Sequence, residues 1–312
     1  MPVPLNAKAI REDLAFVEKQ LKNLSDPFDT VRLMWQQRKE ALEAELSHLE
    51  DFRDNFGRVA LLFNGAPVIG SQEIKLDFAA KILEDYQSLV GTLVALKAGE
   101  SIGSRGPLPI SFSSRLYIKD MLRGSVGFLI EEKSSLQHEL VPTLLKDAID
   151  ETNRLLADMS GDDPAAFQER MRQLSPRSVS AIKRIAKTLH DGGAETRIVD
   201  DENELSLDYS KTGILHSRLT EVEVASRPVR IDGVLLGLFP ERQQYEFRIA
   251  ESQRVIYGPV SQKFDSRFLS DPDFARSILL KNALVLFTLS VTINSGIIER
   301  EEYTLEDVRL LE

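Results

Sequence analysis

Four carboxylates crowd one short stretch, Asp200, Asp201, Glu202 and Glu204, directly after the strand-like AETRIV. Divalent cations take oxygen ligands of this kind, and Glu195 or Asp208 folded alongside would complete a shell. The same run also makes an ordinary polar hairpin loop. A second pair, Arg184 and His190, lies on AIKRIAKTLH with five residues between them; such spacing also describes the solvated face of an amphipathic helix. A third set is aromatic and basic. Tyr245, Arg248, Arg254 and Tyr257 would supply the stacking and phosphate contacts of a single-strand nucleic-acid face. The plain alternative there is aromatics in a core and arginines paired on the surface.

The Arg184-to-His190 spacing resembles that of the HEPN family of ribonucleases, in which both side chains share a cleft at a dimer interface. The resemblance covers these two residues, and Ile185 stands where that family usually has a polar residue. It implies a nuclease; a metal-dependent enzyme built on the acidic run is the other catalytic expectation.

Composition narrows the field. There are no cysteines, which excludes disulfides, thiolate catalysis and thiolate metal sites and agrees with a reducing compartment. His48, His138, His190 and His216 include no local ligand pair, so no zinc site is expected. GESIGSRG, Gly99 to Gly106, lacks the Gly-Lys-Ser/Thr of a phosphate loop, and RGSVGF, Arg123 to Phe128, reads as a hairpin or a close backbone approach. No cofactor is called for. The net charge of −10 opposes a phosphate backbone, and from Glu221 onward 11 basic residues face 15 acidic ones. The start has no basic region before an apolar core, and no run of about 18 apolar residues follows, so a cytoplasmic protein that does not enter a membrane is expected.

The strongest pattern is near the start. Steps of four and three from Ile10 reach Leu14, Val17, Leu21, Leu24, Phe28, Val31, Trp35, Arg38, Leu42, Glu45, Leu49, Phe52 and Phe56, twelve of the fourteen apolar. That is a heptad seam with a solvated back. Pro27 cannot sit inside a helix without losing a hydrogen bond, whereas Asp26 as N-cap and Pro27 at the first helical position cost nothing. The same device precedes Pro164, Pro176 and Pro272. Two helices are therefore expected, about 7–24 and 27–55. They form either a hairpin or a bent rod on a partner groove, and the unbroken phase favours the rod. Arg38 and Glu45 interrupt the seam; they either turn outward or pair with a second chain. The seam could also cover the protein's own sheet.

Further on, RVALLF reads as a buried strand and Asn64-Gly65 as a turn, and Ser71 caps a helix reaching Ala98. Strands near 111–118 and 125–131 and a helix to Met159 complete an α+β layer with helices on one face of a largely antiparallel sheet. Past Tyr209 come three strands, a helix near Asp271 and two strands, the order of an OB-like small β-barrel. The fold class is thus α+β, divided as heptad helices over 1–56, an α+β domain over 57–160, a helical connector with a short hairpin over 161–220, and a barrel-like domain over 221–312. No convergent catalytic set is recognisable. The expected function is a noncatalytic, self-associating cytosolic adaptor or sensing subunit, a homo-oligomer that also engages a larger protein partner. In organisation it looks like accessory subunits of bacterial multiprotein systems, antiviral defence included. The alternative is a nucleic-acid-binding protein using the barrel.

Overall fold

Helix α1 (Val3–Asn23) and helix α2 (Thr30–Asp51) run antiparallel with their apolar seams pressed together. The computed structural model describes residues 2–23, 30–51, 55–100, 102–103, 115–122, 126–133 and 141–311, except the side chains of 48–51. The pair is a hairpin, which overturns the bent rod that the unbroken phase favours. Each seam is covered by the other helix, so no shared partner groove is needed to bury it. The phase also slips: Leu46 joins Trp35 and Leu42 against α1, while Glu45 and Val31 are exposed. Leu24, Phe28, Phe52 and the Asp26–Pro27 helix start lie outside the described residues, as does the side chain of Leu49.

The chain continues through β1 (Arg58–Gly65), the short pair β2 (Val68–Ile69) and β3 (Glu73–Ile74), α3 (Leu76–Lys97), β4 (Leu116–Leu122), β5 (Val126–Glu132), α4 (Leu144–Ser160), α5 (Pro164–Gln173), α6 (Pro176–Asp191), β6 (Ala194–Val199), β7 (Glu204–Leu207) and α7 (Tyr209–Thr220). Helix α3 starts five residues after Ser71, because Val68 to Ile74 pair as a small hairpin. Five strands form one antiparallel sheet in the order β4-β5-β1-β6-β7. Sheet and core cross the boundary expected at 160, since β6, β7 and α5 to α7 share one core with β1 and α3. After Arg58, the run VALLF is apolar throughout because both faces of β1 are covered. Val59, Leu61 and Phe63 meet the helices, with Phe63 edge-on to Phe78 at 5.5 Å, and Ala60 and Leu62 meet Leu5 at the root of α1. Gly127 on β5 allows the close approach expected of RGSVGF: a Cβ there would lie 2.7 Å from the Leu61 carbonyl.

The proline-marked starts at Asp163, Ser175 and Asp271 all cap helices: Ala165 N donates to Asp163 at 2.8 Å, Ser178 N to Ser175 at 3.1 Å and Phe274 N to Asp271 at 2.9 Å. The last third is β8 (Val222–Phe239), β9 (Gln244–Ile249), β10 (Val255–Pro259), α8 (Gln262–Ser270), α9 (Pro272–Ile278), β11 (Asn282–Asn294) and β12 (Ile297–Leu310). Its antiparallel sheet, in the order β10-β9-β8-β11-β12, curls into a half-barrel. A parallel bridge from Val260 to Leu305 brings its two edges together. This is the expected three strands, helix, two strands, with the helical segment split in two at Asp271. Tyr245, Phe247, Phe264, Phe287 and Leu305 fill the interior. The half-barrel is tied to the central domain by Asn294 to Gln168 at 3.1 Å, Arg300 to the Gln173 carbonyl at 3.1 Å and Lys183 to the Val222 carbonyl at 2.6 Å.

Candidate functional site

The helical hairpin is an arm. At its root Val3 N donates to Asp201 Oδ1 at 3.0 Å, and Leu5 packs on Ala60, Leu62 and Val199 of the sheet. Beyond that root, among the described residues, the extensive packing of α1 is with α2 and that of α2 is with α1. At 1.5 Å per residue the arm is about 30 Å long. Ile10, Val17 and Leu42 are fully covered in its seam, with Leu14, Leu21, Trp35 and Leu46 half-buried. Trp35 also meets Phe16 edge-on at 5.9 Å. Charges close both margins. Lys39 holds Glu18 at 3.0 Å, lowering that carboxyl and raising its own ammonium, and Arg38 reaches Asp13 at 3.8 Å. Arg38 therefore turns outward and already has a partner in its own chain. What the seam leaves over is apolar: Phe16 is 54% exposed, Leu33 56% and Met34 69%, with Val31 beside them. Phe16, Leu33 and Met34 were missed in the sequence because they lie off the heptad positions, whereas Val31 was expected in the seam and is exposed instead.

Arg184 and His190 do not share a cleft. Arg184 Nε donates to Asp85 at 2.8 Å and Nη2 to Ser88 at 3.0 Å, both on α3. His190 faces α7 instead, stacked on His216 at 4.1 Å and on Tyr209 at 6.4 Å. Within one chain the two side chains therefore meet different neighbours, and no cleft shared by them is seen among the described residues. The histidine stack does carry a pH signature. Burial lowers the His216 pKa, and the His190 charge lowers it further, with Asp191 opposing and Lys187 and Lys183 reinforcing. The unfolded chain then takes up its proton near pH 6.5 while the folded chain resists, so stability falls as pH drops below that value. His216→Gln is expected to flatten this part of the melting temperature against pH between pH 7 and 5; an unchanged slope would remove His216 from the account.

The four carboxylates of the acidic run and Asp208 serve five separate structural tasks. Asp200 organises the β6–β7 turn, accepting from the backbone N–H of Glu202 at 2.8 Å and of Asn203, and takes the Asn153 amide at 2.6 Å. Asn153 in turn accepts from Tyr86 at 3.3 Å. Asp201 caps α1, Glu202 faces Lys146 at 3.7 Å, Glu204 faces Arg197 at 3.4 Å and Asp208 caps α7. Glu195 is exposed on β6. Beside the turn, burial raises the Asp150 carboxyl despite Lys146 at 3.1 Å, and it raises the Tyr86 phenol strongly, helped by the charges of Asp200 and Asp150. Among the described residues no group of three or more His, Asp or Glu is placed to hold a metal ion.

On the half-barrel the nucleic-acid set splits. Tyr245 points inward, wholly buried, its hydroxyl donating to the Tyr303 carbonyl at 2.8 Å, and burial pushes its phenol far above the usual value. It cannot belong to a binding face. Arg248, Arg254 and Tyr257 are exposed, Tyr257 by 79%, and Phe239, which sequence reasoning missed, joins that outer surface at 47%. Glu246 stands between them, opposite Tyr257 across the strands. A cavity of about 290 Å³ between Gly103 and Ser226, Thr288, Thr304 and Glu306 lies apart from all of these. Comparison of the chain with family models, with curated proteins and with solved structures finds no match.

Proposed function

We propose that the protein is a noncatalytic, self-associating subunit of a larger assembly, joined to other chains by the arm while the half-barrel remains free to meet a further partner. The observation that carries this is the arm itself. A two-helix hairpin that stands off its domain buries little by itself, yet this one keeps large apolar side chains at Phe16, Val31, Leu33 and Met34 in water. Covering each such side chain contributes about 1.5–3 kcal/mol, and exposed apolar surface such as Phe16 and Met34 present on one side of the arm marks association sites. The arrangement of the candidate catalytic residues points the same way: Arg184, His190 and the acidic run are each engaged in holding the fold together.

A second reading, binding of single-stranded nucleic acid, has one observation in its favour: Tyr257 and Phe239 are exposed with Arg248 on one outer surface. Against it stand Glu246 within that surface and the acidic balance of the domain.

The test is molar mass by light scattering from about 1 to 300 µM, spanning the micromolar affinity expected of so narrow a surface. The native chain is expected to pass from monomer to oligomer across this range. Phe16→Glu with Met34→Glu should remain monomeric, weakened about a hundredfold or more, with unchanged circular dichroism. A native chain that stays monomeric throughout and instead binds a labelled oligothymidylate with steep salt dependence would replace this reading with the second.

A further inference from the structure

The arm's two margins differ, and one of them repeats its own pattern. On α1 the positions Ala9, Asp13 and Phe16, and on α2 the positions Met34, Arg38 and Ala41, follow the i, i+4, i+7 spacing that keeps side chains on one helix face. Asp13 meets Arg38 at 3.8 Å across the hairpin, and Phe16 touches Trp35, so both rows lie on the same side of the arm. All six residues are exposed. The face therefore reads, from tip to base, as a large apolar pair (Phe16, Met34), an ion pair (Asp13, Arg38) and a small pair (Ala9, Ala41). The opposite margin is charged, with Lys39 between Glu18 and Glu43 at 3.0 and 3.6 Å.

We infer that the occupant of this face is the same face of a second copy of the chain, docked in parallel about a two-fold axis that runs along the arms. This rests on the self-association proposed above and specifies its geometry. A two-fold axis along the arms lays α1 of each copy over α2 of the other. Asp13 then faces the second copy's Arg38 and the reverse, Phe16 faces Met34 at the tip, and Ala9 faces Ala41 nearer the base. Opposite charges meet, apolar side chains meet, and the alanines let the helices approach to the 8 Å end of the usual range. The antiparallel alternative lays α1 over α1 and α2 over α2. It sets Asp13 against Asp13 and Arg38 against Arg38, and it spends Phe16 and Met34 on alanines, which offer little apolar surface. Charge and covered area thus favour the same orientation. The chosen face also explains why Arg38 interrupts the seam: at the margin it can serve both its own Asp13 and that of a second chain.

The absence of cysteine makes this directly measurable. Ala9→Cys and Ala41→Cys are prepared as separate full-length proteins, each checked for native molar mass under reducing conditions, then oxidised alone and mixed. The expected result is a disulfide-linked dimer in the mixture, at least severalfold above either protein alone. A mixture of Ala9→Cys with Phe16→Cys should give no such excess. The reverse outcome, 9-to-16 linkage without 9-to-41, would establish antiparallel docking and overturn the inference while leaving self-association standing. A native chain that is monomeric at every concentration would remove the underlying reading as well. As an independent arm, Asp13→Arg and Arg38→Asp should each associate more weakly than the native chain, and an equimolar mixture of the two should recover it. Failure of the mixture to recover would overturn the charge pairing on which the orientation rests.

Discussion

Asp200→Ala is expected to destabilise the protein by about 3–5 kcal/mol, as removal of one side of a buried polar network does. Asp200 is 1% exposed and serves groups on two sides. One oxygen accepts the turn amides of Glu202 and Asn203, and the other accepts the Asn153 amide, which connects to Tyr86. Alanine leaves three donors without their acceptor, the Asn153 amide in the interior and the two turn amides partly covered, each costing up to about 1–3 kcal/mol before relaxation. Asp200→Asn should cost less, because its carbonyl can still serve the turn while its amide opposes that of Asn153. The arm should feel the same change, since the next residue, Asp201, holds the first turn of α1 through Val3. The measurement is urea unfolding of both variants with Trp35 emission as a second signal. A loss under about 1 kcal/mol for alanine would refute the network account. Calcium or a chelator should leave the native midpoint unmoved; a midpoint that follows the metal would return Asp200 to the role of a ligand.

That turn shows what a sequence conveys and what it withholds. A run of carboxylates is visible at once, but part of its meaning depends on partners 47 or more positions away, Asn153 for Asp200, Lys146 for Glu202 and residue 3 for Asp201. Those distant partners are what separates a cation shell from a set of structural duties. Helix starts behave oppositely, because their cause lies within three residues. Asp163, Ser175 and Asp271 are recognisable as caps from the proline that follows, and each one is a cap. The β-β-β-α-β-β order is legible for a similar reason, since alternation along each strand is a local property.

For Tyr245 the plain alternative, an aromatic in the core, was legible on geometry alone. Tyr245 and Arg248 are an odd number of positions apart on one strand, so they face opposite ways, and Phe247, sharing the alternation of Tyr245, draws it inward. Arg184 and His190, about 120° apart around their helix, are separated by their partners on α3 and α7, which the spacing does not disclose. The choice between hairpin and rod is different in kind. Two apolar stripes of equal phase are equally well buried by a partner or by each other, and the deciding conformation lies in the connection between them. The exposed row at Phe16 and Met34 becomes visible only once the hairpin is known, because only then is it clear that the seam has been used up.

Gly233→Val is expected to unfold the half-barrel while sparing much of the rest. Strand β8 pairs with β11 from Val222 to Val234 and with β9 from Gly233 onward, so at Gly233 it passes from one half of the curled sheet into the other. A Cβ there would collide with the Arg248 carbonyl and come within 2.5 Å of the Phe247 ring, which is wholly buried. Neither neighbour can yield: one is backbone in the adjoining strand and the other lies at the centre of the core. Overpacking of this kind costs about 1–3 kcal/mol for side-chain shifts, and displacement of a paired strand adds to it, so about 4 kcal/mol or more is expected for valine and less for alanine. The half-barrel and the central domain have separate cores, which allows the loss to stay local. Trp35, the single tryptophan, lies in the arm and reports on a different part of the molecule. The expected result is an early far-ultraviolet transition with Trp35 emission unchanged until the native midpoint. Because Val222 and Val224 at the start of β8 pack into the central core, that first segment should stay ordered and set the limit of the early transition. If both signals move together at the lower midpoint, the three parts fold as one cooperative unit and the half-barrel is no independent surface for a partner.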